Sequence, residues 1–256
     1  MASVSKPESS SNDEEIKSYE LIFNQDPYDL SAIDRIPEIR ETAQRLLTEA
    51  GVQSPQVWVG GETAAQYDTK TVVERDTRIV IPVVLTVIAM LLLFYLRSIV
   101  AMVYLVATVL LSYFSALGAG WLILHYFMDT AAIQGLIPLY AFVFLVALGE
   151  DYNIFMVSSI WQGRGRLNLK DASRLGVSTT SSVITSAGLI LAGTFAVLAT
   201  LPIQVLVQFG VICAIGVLLD TFIVRTFLVP SITILLGEAS FWPGKIKKQV
   251  QTAGKS

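Results

Sequence analysis

The chain has one cysteine, Cys213, and one histidine, His125, among its 256 residues. A lone cysteine in an apolar stretch excludes a disulfide framework and leaves no Cys/His set for a structural zinc site. A Ser-His-Asp triad would have to use His125, and nothing near it in sequence supports one. No nucleophile stands beside a base and no nucleotide-binding loop is present, so the sequence predicts neither an enzyme nor a resident cofactor. Charge is scarce after residue 78. Residues 79–256 hold 6 of the 21 acidic and 10 of the 18 basic side chains, whereas residues 1–78 hold 15 and 8, a local balance of −7.

What is abundant is apolar. Hydrophobic residues make up 53% of the chain, and mean hydropathy is +0.60, the composition of an integral membrane protein. A crossing needs ~20 apolar residues. Five segments meet that length, at about 79–96, 99–124, 137–161, 180–201 and 206–229. Arg97 follows the first, Arg164, Arg166, Lys170 and Arg174 the third, and Lys245, Lys247 and Lys248 the fifth. The alternate loops, around His125 to Gln134 and Leu201 to Gln204, lack Lys and Arg. The positive-inside rule then puts the basic loops and the carboxyl terminus in the cytoplasm and the acidic head outside. His125 reads as a polar residue at the membrane–water boundary.

Residues 1–15 read as a disordered tail, 16–77 as a small extracytoplasmic α/β domain, 78–237 as the membrane domain and 238–256 as a cytoplasmic tail. Within the head, Ser18 to Asn24 and Val57 to Val59 read as strands. Ala32 to Ala50 shows helical periodicity and is stopped by Gly51. Such a β-α-β unit is too small for a substantial core of its own. Met1 to Asn12 has no apolar core, so no cleavable signal is expected. An outward head without a preceding span or signal is hard to translocate, so either the chain inserts with help or it is a portion of a longer polypeptide, the reading the sequence favours.

One residue contradicts its surroundings. Asp151 sits between Leu136–Leu148 and Ile154–Trp161, so a spanning helix would hold its carboxyl near the bilayer midplane. A charge there costs about 3 kcal/mol on insertion scales, and intramembrane acids are kept where they are paired or used. Desolvation favours the protonated form of a carboxyl, which lets such a group gain and lose protons during a cycle. The alternative is a permanently neutral acid bonded to a neighbouring helix. Glu150 lies beside it, about 100° away on a helix, so the two cannot share a face. Thr185 and Ser186 reach about the depth of Asp151 by helical rise and are possible relay partners, although small and hydroxyl residues also serve plain helix packing. Arg225 reads as snorkelling at the cytoplasmic interface. Asp220 lies ~7.5 Å deeper. Five residues of α-helix do not put Asp220 and Arg225 on one face, so no ion pair within that helix is expected, and both read as structural or coupling residues. Phe241 and Trp242 read as an interfacial anchor.

Three motifs in order resemble the carboxyl-terminal half of MMPL-type transporters of the resistance-nodulation-division (RND) superfamily. They are Gly149-x-Asp151-Tyr152-Asn153-Ile154-Phe155, Ile184-Thr185-Ser186-Ala187-Gly188, and Gly216-Val217-Leu218-Leu219-Asp220-Thr221-Phe222-x-Val224-Arg225-Thr226. The resemblance covers roughly 17–236, including Val59-Gly60-Gly61. It implies a mainly α, polytopic protein with five transmembrane helices preceded by part of an extracytoplasmic porter domain, in a bacterial plasma membrane. It implies that Asp151 and Tyr152 form a proton relay driven by the proton motive force, and that Glu150 departs from the uncharged residue usual there. The implied partners are the lipid bilayer, a missing amino-terminal transporter half or homologous protomers, and a hydrophobic or amphiphilic substrate such as a lipid or drug; nucleic acid is not expected. The rival reading is a non-transporting fragment or an accessory interaction subunit.

Overall fold

The computed structural model describes residues 3–4, 8–9, 17–24, 29–130, 132–163 and 168–243. Arg164 and Arg166, the three lysines after the fifth span, and most of the expected disordered tail lie outside them. The chain divides into two compact units, Met1–Asp76 and Thr77–Ser256.

In the first unit four two-residue strands pair antiparallel, β1 (Ser3–Val4) with β4 (Leu21–Ile22) and β2 (Glu8–Ser9) with β3 (Lys17–Ser18). α1 (Leu30–Ile33) leads into α2 (Ile36–Glu49), where proline in the first turn suits a position whose N–H has no helical partner. Gly51, at φ 86°, ends α2 in the left-handed region, as the sequence predicts. Ala32, Ile33 and Ile36 are buried, and Lys70 bonds Asp34 at 2.6 Å. Val57 to Val59 does not form the expected second strand. A strand exists through its ladder partner, and the described strands pair with amino-terminal residues instead. The β-α-β arrangement is therefore not the one observed.

Five helical segments are long and apolar enough to cross a membrane: α3 (Glu62–Leu96), α4 (Ile99–Met128), α5 (Leu136–Gly163), α6 (Leu169–Leu198), and a last span running from Gln204 to Phe241. α4 and α5 agree with the apolar runs to within a few residues, whereas α3 begins seventeen residues before the first run. α6 starts eleven residues before the expected boundary because Asn168 caps it, its side chain accepting from Asp171 N–H at 2.9 Å. The hydroxyls of Ser178, Thr179 and Thr180 donate back to carbonyls of their own helix, which lets a polar run stay helical. The last span is composite. α7 (Gln204–Leu219) passes into a π-helix (Asp220–Leu228), then α8 (Val229–Leu236) and a 3₁₀ turn (Gly237–Phe241).

Two apolar clusters hold the second unit together. One joins Val109 and Tyr113 of α4, Phe142 and Leu145 of α5, and Ile212 and Val217 of α7. The other joins Leu92 and Leu96 of α3 with Met156 and Ile160 of α5 and Val229 of α8. Small residues set the spacing. A β-carbon on Gly216 would come 2.6 Å from the δ-methyls of Leu145 and 3.1 Å from Ala116 Cβ, so the missing side chain makes room for Leu145 between α5 and α7. Buried Gln208 fastens the α4–α5 loop, accepting from Gln134 N–H at 3.0 Å and donating to the Ala132 carbonyl at 3.3 Å. At the opposite end Ser98 caps α4 and lies 2.8 Å from the Ser240 carbonyl and 3.0 Å from that of Trp242. Phe241 is buried edge-on to Trp161, not placed as an interfacial anchor, whereas Trp242 is exposed. The hydrogen bonds of Ser98 pull that segment into the bundle.

Candidate functional site

Position 149 to 153 of α5 distributes its side chains by the helical step. Gly149, Glu150 and Asn153 are buried, Tyr152 is half-buried and Asp151 is exposed. Asp151 belongs to an outward stripe with Tyr140, Phe144, Ala147 and Phe155, all exposed and all within one helical face. The acid therefore sits in the middle of a mainly apolar, aromatic-rich surface of the five-helix unit. Glu150, a step of about 100° away, turns inward and is only 4% exposed.

The buried counterpart is on the last span. Asp220 and Arg225 form an ion pair, contrary to the expectation from α-helical spacing. The reason is the winding. In an α-helix residues five apart are displaced by about 140° at 100° per residue. Residues 220–228 instead make i→i+5 hydrogen bonds, as in Val229 N–H to the Val224 carbonyl, so residues five apart come to lie on one face. Thr226 repeats the relation, its hydroxyl donating to the Thr221 carbonyl at 3.0 Å. Arg225 is 4% exposed and does not snorkel.

Arg225 has two further partners on α5. Its Nη2 donates to the Leu148 carbonyl at 3.2 Å, and its guanidinium carbon lies 4.2 Å from the centre of the Tyr152 ring, a cation–π contact. Tyr152 thus has one side toward the buried pair while its sequence neighbour Asp151 faces out. Two glycines make room. A β-carbon on Gly149 would lie 3.3 Å from Val109 and 4.0 Å from Asp220 Oδ1, and one on Gly188 of α6 would fall 2.3 Å from the Thr221 hydroxyl. The cleft at this junction, lined among others by Ser112, Tyr152, Gly188, Asp220 and Arg225, encloses about 10 Å³, close to the minimum for one water.

Thr185 is half-buried and Ser186 is exposed, and Ser186 donates to carbonyls of its own helix at Ser182 and Val183. Gly188 of α6 lies directly against Thr221 of the ion-pair segment. Several buried polar atoms have no hydrogen-bond partner among the described residues: both Glu150 oxygens, both amide atoms of Asn153, Asp220 Oδ1, the Thr221 hydroxyl and Arg225 Nε. The sequence reading missed the Asp220–Arg225–Tyr152 junction and the inward turn of Glu150. An acid and a base both placed in an apolar span were the signal available for the first.

The model of the MMPL family matches residues 2–254. The apo-petrobactin exporter of Bacillus anthracis is 59% identical over 254 residues, which is 98% of this chain and 34% of that protein. The acyltrehalose exporter MmpL10 of Mycobacterium tuberculosis is 35% identical over 226 residues, 85% of this chain and 22% of that protein. The chain thus spans about a third or less of the length of these relatives.

Proposed function

The chain belongs to the MMPL family, and on that premise we propose that it is the carboxyl-terminal, proton-coupling part of a membrane exporter completed by a second half. The observation that carries the reading is the exposure of Asp151 on a mainly apolar face of α5. An acid at that depth is costly against lipid, so this face is covered by protein in the working assembly. The relatives' greater length supports the existence of such a covering half. The α/β head and the amino terminus lie outside the cell, and the carboxyl terminus lies inside. The placement of Arg97, Lys170 and Arg174 supports this orientation.

In this mechanism Asp151 takes a proton from the outer side at the interface with the second half, and Tyr152 restrains its geometry. Loss of charge on Asp151 changes what Tyr152 bonds, and the Tyr152 ring transmits the change to Arg225 and the last span. The inward proton step drives an outward step of the substrate through the extracytoplasmic domain. The cargo is amphiphilic. Apo-petrobactin and acyltrehalose, for which the two relatives are named, are the compounds to try first.

A chimaera tests the reading. The matching third of the Bacillus anthracis exporter is replaced by this chain and expressed in cells lacking that exporter. Restored apo-petrobactin export, lost in Asp151→Asn at equal membrane abundance, is the expected result. Full export by the Asp151→Asn chimaera would remove that residue from the mechanism.

A further inference from the structure

The geometry points to Glu150 as a second proton-binding carboxyl that exchanges Arg225 with Asp220, on a face of α5 about 100° round from Asp151. Glu150 is 4% exposed, and neither of its oxygens has a partner among the described residues. An ionised carboxylate so enclosed needs a partner or a proton. The charges that act on it are Asp220 and Arg225 from the last span and Asp151 on its own helix. The cleft beside the Asp220–Arg225 pair receives Val109 and Ser112 from α4 and Gly188 and Leu191 from α6, none of which titrates; Glu150 itself does not line it. Arg225 is therefore the cation available to it. Arg225 is also incompletely used, because among the described residues Nε has no acceptor and Asp220 Oδ1 has no donor.

Two arrangements satisfy these groups equally in charge. In the first, Arg225 pairs with Asp220, as in the structure, and the proposal puts the proton on Glu150. In the other, Arg225 swings to the Glu150 carboxylate and Asp220 carries the proton. Conversion moves one proton from Glu150 to Asp220 and leaves the net charge unchanged. The swing would draw the Arg225 guanidinium off the Tyr152 ring, on which it now lies, and so link Glu150 to the residue beside Asp151. The inference deepens the proton-coupling reading of this site and rests on it.

Infrared difference spectra of the purified full chain in lipid, recorded between two pH values, test it without a transport assay. A protonated-carboxyl band is expected that disappears in Glu150→Gln, survives shifted in Glu150→Asp, and persists in Asp151→Asn. In Asp220→Asn the Glu150 band should convert to the carboxylate signal, because Arg225 then has Glu150 as its acidic partner. Circular dichroism checks that each variant is folded. Identical bands in the parent and Glu150→Gln, or a Glu150 band unmoved by Asp220→Asn, would overturn the proposal. A band that responds to sodium chloride at fixed pH but not to pH would also overturn it, in favour of a metal-cation site. Loss of an Asp151 band alone would count against the Asp151 relay and leave the Glu150 assignment standing.

Discussion

Asp220 and Arg225 meet because the helix between them is wound with i→i+5 hydrogen bonds. The pair is buried at the junction of α4, α5, α6 and the last span, with Tyr152 laid against its cation. A π-helix is an uncommon winding that tends to mark functional positions. Here its local consequence is plain: it brings a charge of each sign to one face inside an apolar bundle.

Removing one member of such a pair leaves the other charge buried alone, which typically costs about 3–5 kcal/mol. Asp220→Leu and Arg225→Met should each lower the thermal midpoint in detergent sharply, and the double substitution should be less damaging than the sum. Additive losses would show that the two side chains do not act as a pair.

Tyr152→Phe keeps the ring over Arg225 and should leave stability nearly unchanged. Tyr152→Ala removes the cation–π contact, worth about 0.5–2 kcal/mol, together with ring packing, and should unfold earlier. If Tyr152→Phe abolishes export at full stability, the phenol hydroxyl serves the relay; unchanged export would confine the residue to holding Arg225.

At Gly188 an added methyl would collide with the Thr221 hydroxyl and methyl, at 2.3 and 2.8 Å. Gly188→Ala should destabilise by about 1–3 kcal/mol, the usual range for overpacking. Pairing it with Thr221→Ala should recover part of the loss. No recovery in a thermal melt of the double variant would mean that the collision lies elsewhere.

Ser98 combines a helix cap with a hold on the last residues of the bundle. Ser98→Ala should cost about 0.5–2 kcal/mol for the cap alone. It should also speed proteolysis of the segment after Leu236. Equal cleavage rates in the parent and variant would contradict the role assigned to these hydrogen bonds.

The five spans were legible because length and hydropathy determine them without reference to neighbours. The start of α6 was not, since its Ser/Thr run reads as polar until Ser178 to Thr180 are seen bonding their own helix. Val57 to Val59 has strand composition, but composition does not supply a ladder partner. The place of Asp151 midway along a long apolar helix was legible from its flanks; its outward direction was not, because α-helical counting ranks faces only against a known neighbour. The Asp220–Arg225 pair was concealed by the assumption of α-helical pitch, and Glu150 by its place beside a better-known kind of acid. Both errors concern rotation about a helix axis, the quantity a single apolar run constrains least.

The most direct test of the account is proton entry into lipid vesicles that contain the chimaeric exporter, measured with an internal pH dye while apo-petrobactin is supplied on the cytoplasmic side. The account predicts substrate-dependent proton flux for the parent chain and none above background for Asp151→Asn, with equal amounts of protein in the bilayer. Equal flux from both would contradict it.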